Sequence, residues 1–320
     1  MRSVTAAITA YNQERFIGGT IESVLAQSRP ADEIVVVDDG SSDDTAGVVR
    51  KFGKSVRLIR QANGGVARAR NRAVHESSGN MVALLDGDDL WYPTKLERCL
   101  ATAGASGARV IVHDVENVSA DGQHVLGSGA VYNALIRLTG RTDSAFVNCW
   151  SALLDSNFIV TTSSVLISRD LYLTSGSSDP ALPIASDFDL YLRLATQVEF
   201  LLIPEVLTQW RQHDDSASGA GRQRQVNWRS AMADVLRRQS HSANAGSRQI
   251  LRRAADEKLS LLIRDIYRCE EEVGTWRTAR ELLRVAVRCH APRSALVAMA
   301  VLTPASARRV AASITGVSLS

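Results

Sequence analysis

Aromatic side chains are scarce in this chain of 320 residues: Phe, Trp and Tyr together make up 5 % of it. That argues against a lectin-like face or a base-stacking surface, both of which are built on exposed rings. A nucleic-acid partner is therefore not expected. Cysteine is sparse as well. Cys99, Cys149, Cys269 and Cys289 form no C-x-x-C pair, so neither a zinc site nor a thioredoxin-like motif is indicated. Isolated core thiols in a reducing compartment are the simplest reading. No apolar run reaches the ~18 residues of a membrane span. The longest, Ala295 to Leu302, ends at Thr303-Pro304. Near the start, Arg2 precedes small apolar residues as in a signal peptide, but Tyr11-Asn12-Gln13-Glu14 interrupts them before an h-region forms. A G-x-G-x-x-G fingerprint is also lacking after the first predicted strand, where the chain reads Thr9-Ala10-Tyr11-Asn12-Gln13-Glu14. Without those glycines a pyrophosphate cannot approach the next helix closely, which excludes a dinucleotide-binding domain.

What is present is enough for a sizeable core, since 45 % of the residues are hydrophobic. The length suits one large domain and an appendage. The net charge of +3 hides an asymmetry: residues 1–218 carry −7 and residues 219–320 carry +10. A basic tail on an acidic body suggests contact with something anionic, such as a membrane surface or nucleic acid; the plainer reading is a solvated, arginine-rich helical face.

Periodicity organises the first 85 residues. Val4 to Thr9 reads as a buried strand, and Gln13 to Gln27 as a helix with Phe16, Ile17, Thr20, Ile21, Val24 and Leu25 on one face. Pro30 bars its continuation. Glu33 to Val37 is a continuous apolar strand, as in a parallel sheet covered on both faces. Asp38-Asp39-Gly40-Ser41-Ser42 is a turn opening a helix to about Phe52, and Val56 to Ile59 is a third strand. Asn63-Gly64-Gly65 turns into a helix from Val66 to Ser78, and Met81 to Leu85 is a fourth strand. This βαβαβαβ order predicts an open, mostly parallel sheet with helices on both faces. Ligands of such sheets sit beyond the carboxyl ends of the strands. Further on, Lys95 to Thr102 and Asp187 to Thr196 read as helices, and Val110 to His113, Ser163 to Ile167 and Val198 to Ile203 as strands. Residues 119–160 give no firm assignment. Ser216 to Gly221 reads as a linker. Gln225 to about Cys289 reads as helical in pieces broken near Ala243 to Gly246, with Leu259, Leu262, Ile263, Ile266 and Tyr267 on one face.

Three clusters fall at the predicted strand ends. In Asp86-Gly87-Asp88-Asp89 two carboxylates one residue apart suit a hard cation that also holds phosphate oxygens; alone, such a segment is more often just a turn. Asp38 and Asp39 suit a base N–H or a ribose hydroxyl. In Asn63-Gly64-Gly65 through Arg70-Asn71 the glycines permit close backbone approach, and Arg70 offers a planar donor fork; the plain alternative is a helix start with exposed arginines.

In this order, Ala10-Tyr11-Asn12, Asp38-Asp39-Gly40-Ser41, Asn63-Gly64-Gly65 through Arg70-Asn71 and Leu85-Asp86-Gly87-Asp88-Asp89-Leu90-Trp91 resemble the N-terminal half of family 2 glycosyltransferases, inverting enzymes of the GT-A fold. The resemblance is dense over residues 1–98 and patchier to about 218. It implies a catalytic domain over 1–218, with a nucleotide-sugar and metal half (1–98) and an acceptor half (99–218), before a basic helical region over 219–320. It also implies nucleotide-sugar contacts from Ala10, Tyr11, Asn12, Glu14, Asp38, Asp39, Gly65, Arg70, Asp86 and Arg211. Asp38 would sit on the base, Asp86 on the ribose and sugar, and Asp88 on the metal, with Asp89 in support. Ala10 stands where the family often has Pro. Ala185-Ser186-Asp187-Phe188-Asp189 is similar to the segment that supplies the base, with Ser186 in place of the usual Glu; Asp187 would be that base. Trp210-Arg211-Gln212-His213 resembles the Arg-x-His segment, and His213 would join Asp88 and Asp86 at Mn²⁺ or Mg²⁺.

The activity implied is inverting transfer of a sugar, from a UDP-sugar by the fit of Asp38 to uracil N3–H, to a hydroxyl of a glycan or lipid-linked acceptor in cell-surface polysaccharide or glycolipid synthesis. The location implied is cytoplasmic, with the tail in peripheral contact at the inner membrane. The rivals are a nucleotidyltransferase that makes nucleotide-sugars, which usually has a Gly-rich basic loop after strand one, and a non-catalytic nucleotide-sugar binder.

Overall fold

Seven consecutive buried residues, Val4–Ala10, form β1, and a run buried on both faces can only sit inside a layered sheet. The computed structural model describes residues 2–104, 106–213 and 222–268, within two compact units, Met1–Ala220 and Gly221–Ser320. The Ser216–Gly221 linker, Cys269, Cys289 and the Ala295–Leu302 stretch lie outside the described residues, as do the side chains of Leu262, Ile263, Ile266 and Tyr267.

In the first unit β1 leads to α1 (Ile17–Leu25), β2 (Glu33–Asp38), α2 (Thr45–Arg50), β3 (Arg57–Arg60), α3 (Val66–Glu76) and β4 (Met81–Asp86). Then follow β5 (Leu90–Trp91), α4 (Lys95–Ala103), β6 (Val110–Ser119), β7 (Val125–Ser128), α5 (Ala130–Thr139), β8 (Ala145–Val147), α6 (Trp150–Asp155), β9 (Val165–Ser168), α7 (Arg169–Thr174), α8 (Ser186–Ala195) and β10 (Phe200–Gln212). The strands make one sheet in the order β3-β2-β1-β4-β9-β6-β10-β5, with β7 beside β6 and β8 beside β10. Its first half is parallel, as the βαβ pattern requires. Beyond β4 it is mixed: β9 runs antiparallel to both β4 and β6, while β10 is parallel to β6.

Two features position the site. Register places Ala10 beside Asp38 and Thr9 beside Asp86, so the acidic ends of β2 and β4 flank the end of β1. β10 is far longer than the predicted Val198–Ile203, because register shifts around Val206 carry it past Pro204. Such irregularities let a strand absorb a proline without ending. Its far end thereby reaches the loop after β4. Residues 119–160 hold β7, α5, β8 and α6, and α5 is bounded by Gly129 and Gly140 at φ of 90° and 69°.

Behind that loop lies a buried amine. Lys95 is fully buried, its Nζ 3.3 Å from the Trp91 ring centroid and without a hydrogen-bond partner. Burial pushes its pKa well below the ordinary lysine value. The unfolded chain holds that proton up to about pH 10.4, so Lys95 opposes folding at neutral pH, and less so as pH rises toward that value. Lys95→Met is expected to raise stability by ~1–3 kcal/mol at pH 7, the scale of an unsatisfied buried polar group. Urea unfolding at pH 7 and pH 10 checks this, the gain shrinking at the higher pH.

The second unit contains α9 (Arg222–Ser242) and α10 (Ala245–Arg268), packed together. Met232, Ala233 and Leu236 on α9, and Leu251, Ala255 and Leu259 on α10, recur at helical spacing and are buried. Arg237 pairs with Asp256 at 2.9 Å. Among the described residues no helix is long and apolar enough to cross a membrane.

Candidate active site

The loop after β1 is tied to the loop after β2. The backbone N–H groups of Asn12, Gln13 and Glu14 donate to Ser41 Oγ, Thr45 Oγ1 and Asp43 Oδ2 at 2.8–2.9 Å. In return Asn12 Oδ1 accepts from Ser42 N–H and Glu14 Oε2 from Asp44 N–H, each at 2.8 Å. Asn12 and Glu14 therefore shape the pocket wall, while Tyr11, 48 % exposed, stands free on its rim. Ala10 is buried in the sheet. With three successive N–H groups committed to side chains, this loop lacks the free donors that cradle phosphate in a Gly-rich loop.

Asp38 and Asp39 are both buried. Asp38 accepts from Ser41 N–H at 2.9 Å and from Arg60 Nε at 2.7 Å. Asp39 accepts from Gly64 N–H at 3.0 Å, Gly65 N–H at 2.8 Å and Gln61 Nε2 at 2.7 Å. Its carboxylate thus fastens the glycine turn, and Gly65, at φ 86°, starts α3 from a conformation that L side chains rarely adopt. Sequence reasoning gave Asp39 and Gly65 to the ligand; here they bind each other and hold α3, hence Arg70, in place.

Asp86, at the end of β4, is the hub. Its oxygens accept from Thr162 Oγ1 at 2.9 Å, Thr9 Oγ1 at 3.3 Å and Arg70 Nη2 at 3.4 Å. Arg70 is buried and also reaches Thr162 Oγ1 at 3.1 Å. Burial pushes the Asp86 carboxyl up; Arg70 opposes this, and the charges of Asp88 and Asp187 add to it. Asp187 lies in the first turn of α8, after Ala185 at φ 62°, with Oδ1 on its neighbour Phe188 N–H at 2.8 Å. The charges of Asp86 and Asp187 both act on Arg70. Asp187, about 100 residues from Asp86 in sequence, thus shares one electrostatic cluster with it.

Asp88 meets the end of β10: its Oδ2 is 3.0 Å from His213 Nε2. Arg211 keeps the two together. Its backbone N–H donates to Asp89 Oδ1 at 3.1 Å, its Nε to the Asp88 carbonyl, and its Nη2 to Thr20 Oγ1 at 3.1 Å. Its guanidinium stacks over Phe16, whose ring lies 4.4 Å from that of His213. Arg211 is 8 % exposed. Expected on the nucleotide-sugar, it is also a clamp between the Asp88 loop, α1 and β10. Asp89 is almost fully buried and also accepts from Thr161 and Ser163. Burial and the charges of Asp88 and Asp86 push it well up.

The sequence reading missed Arg60, Tyr191 and the hydroxyl run Thr161-Thr162-Ser163-Ser164. Ser163 Oγ accepts from Asp86 N–H at 3.0 Å, and Thr162 bridges Asp86 and Arg70. Four hydroxyls in a row before an apolar strand were the available signal.

The fold implies a divalent cation, and the donor set suits one. A carboxylate and an imidazole face each other across 3.0 Å. Among the described residues no group of three or more His, Cys, Asp or Glu forms a complete cage. An ion held by one or two protein donors and otherwise by phosphate oxygens fits that arrangement.

An open sheet with this acidic crevice is the GT-A type of glycosyltransferase fold. The chain is similar to the crystal structure of Staphylococcus aureus TarS residues 1–349 with UDP, at a TM-score of 0.60 and 17 % identity over 92 % of this chain and 83 % of that one. Residues 5–160, just under half of the chain, match the model of "Glycosyl transferase family 2", which supports a family 2 glycosyltransferase. The succinoglycan biosynthesis protein ExoO of Rhizobium meliloti is 40 % identical over 122 residues, 38 % of this chain and 35 % of that protein. The UDP-Glc:alpha-D-GlcNAc-diphosphoundecaprenol beta-1,3-glucosyltransferase WfgD of Escherichia coli is 32 % identical over 161 residues, 49 % and 61 % of the two chains. The matches thus span between about a third and three fifths of these relatives' length.

Proposed function

We propose that the protein is an inverting glycosyltransferase that moves a sugar from a nucleoside-diphosphate sugar to an acceptor hydroxyl. The observation that carries this is the convergence of Asp86, from β4, and Asp187, from α8, on the Arg70 guanidinium, beside the Asp88–His213 pair whose carboxylate also acts on Asp86. Asp88 and His213 would hold Mn²⁺ or Mg²⁺, which neutralises the departing diphosphate when bound. Asp86, braced by Arg70 and Thr162, faces the ribose and sugar. Asp187, on the facing helix, accepts the acceptor's proton as its oxygen attacks the anomeric carbon from the side opposite the leaving group. A base N–H approaching Asp38 competes with Arg60, whose side chain is half-exposed and also donates to the Ser41 carbonyl at 3.2 Å.

UDP is the first choice of nucleotide, on the fit of Asp38 to uracil N3–H and on the UDP-glucose that WfgD's name carries. A nucleotidyltransferase reading is disfavoured by the loop after β1, whose N–H groups are committed. A thermal-shift series of UDP, GDP and dTDP with Mn²⁺ tests the donor site: UDP is expected to raise the melting temperature most, and no response to any nucleotide contradicts the reading.

For the acceptor we infer a lipid-linked or membrane-bound glycan, with the basic unit after residue 220 at an anionic membrane face. Arg238, Arg248, Arg252 and Arg253 are exposed on α9 and α10. Each basic residue near such a surface contributes on the order of 1 kcal/mol. The protein is expected to co-sediment with phosphatidylserine-containing vesicles at low salt, and to leave them at high salt. Equal partition into neutral vesicles speaks against the membrane contact.

A further inference from the structure

Tyr191 lies one helical turn beyond Asp187 on α8, and side chains four apart on a helix share a face. It is 1 % exposed, and its hydroxyl is buried without a hydrogen-bond partner. A buried phenol normally finds a partner. Tyr172 does: its hydroxyl bonds Asn71 Oδ1 at 2.7 Å and Ser178 Oγ at 2.9 Å. The titratable and charged groups that act on Tyr191 are Asp187, Arg70, Asp86 and Tyr172. Arg70 has no acceptor. Asp86 already takes Thr9, Thr162 and Arg70, and Tyr172 is engaged as described. Asp187, one turn away on the same helix, has the most acceptor sites left. Its carboxylate accepts one hydrogen bond among the described residues, from Phe188 N–H, which leaves Oδ2 to be filled.

We propose that Tyr191 is the positioning residue of the base: its hydroxyl donates to the Asp187 carboxylate in the working enzyme and turns it toward the acceptor. This rests on Asp187 being the base of the proposed transfer. An unpartnered buried hydroxyl does nothing for the fold, so its value lies in what it orients.

Tyr191→Phe removes the oxygen alone. Its melting temperature is expected to be unchanged or higher. In a nucleotide-sugar turnover assay kcat falls ~10-fold, a fraction of the ~10²–10⁴-fold that a positioned base contributes, and KM for the donor is unchanged. The acid limb of the kcat–pH profile moves to higher pH, because a donated hydrogen bond favours the charged carboxylate. A purely structural role moves neither the limb nor the kcat-to-KM split. Wild-type kcat and an unmoved acid limb in folded Tyr191→Phe overturn the proposal.

Asp187→Asn run alongside separates the two failures. If it is inactive while Tyr191→Phe is normal, only the Tyr191 inference falls. If the wild type consumes no donor, the transfer reading falls, and a carboxyl ¹³C NMR titration of Asp187 decides the Tyr191 link, with and without Mg²⁺ and UDP. Asp187 is expected to titrate lower in the wild type than in Tyr191→Phe, and equal values overturn the link. Should Tyr191→Phe misfold, the Tyr191 ¹³Cζ shift in wild type and Asp187→Asn serves instead, identical shifts being the contrary result.

Discussion

Asp187→Asn is expected to reduce glycosyl transfer at least ~100-fold while leaving nucleotide affinity unchanged, since a positioned general base contributes ~10²–10⁴-fold. The substitution is mild for the fold. Asp187 is partly exposed, and the Oδ1 that accepts from Phe188 N–H is retained by Asn. Arg70 keeps its contacts with Asp86 and Thr162, so the floor of the site survives. What is lost is the ability to accept a proton. Steady-state kinetics with calorimetric UDP binding check this: equal loss of binding and turnover would show that Asp187 serves the nucleotide or the fold.

Asp88→Ala is expected to abolish metal-dependent transfer, with a loss above ~10³-fold, because leaving-group stabilisation of several kcal/mol disappears with the ion. The loop should nevertheless hold its course. Arg211 Nε grips the Asp88 carbonyl and its backbone N–H grips Asp89, neither of which needs the Asp88 side chain. Asp86 and Asp89 are both pushed up in part by the Asp88 charge, so removing it relieves repulsion. The variant should therefore melt near the wild-type temperature in the absence of metal, the relieved repulsion offsetting the lost Asp88–His213 contact, and show no increase on adding Mn²⁺. Retained Mn²⁺-dependent transfer would remove Asp88 from the metal site.

The parallel half was legible because its physics is local. Continuous apolar runs of four to seven residues, separated by helical periodicity and Gly-Asn-Asp turns, permit few other arrangements. Their order put the acidic clusters at strand ends, and the register sets the Asp38 and Asp86 ends on either side of β1. The second half was less legible. Pro204-Glu205 reads as a stop, yet β10 continues through a bulge to Gln212. The Gly129 and Gly140 pair that bounds α5 was visible but unused, since residues rich in Gly, Ser, Asn and Asp carry no clear period.

Within the site, the motifs marked which residues matter but not to whom they bind. Asp39 read as a ligand contact because a carboxylate just past a strand end suits a base or a ribose, and Arg211 because the family resemblance implies it. The partners that claim them, Gly64 and Gly65 for one, Asp88, Asp89 and Thr20 for the other, lie 25 to 191 residues away. Tyr191 escaped notice because a tyrosine on the buried face of a helix looks like core until its hydroxyl is found without a partner.

The central claim is sugar transfer from a nucleotide donor at the Asp86–Asp88–Asp187 crevice. Incubating the wild-type protein with Mn²⁺ and a panel of UDP-, GDP- and dTDP-sugars, with mass spectrometry of the products, tests it most directly. The expected result is that one donor, a UDP-sugar, is consumed to the nucleoside diphosphate, and that Asp88→Ala and Asp187→Asn abolish this. Consumption of no donor, or formation of nucleotide-sugar and pyrophosphate from a sugar phosphate and a nucleoside triphosphate, would contradict it.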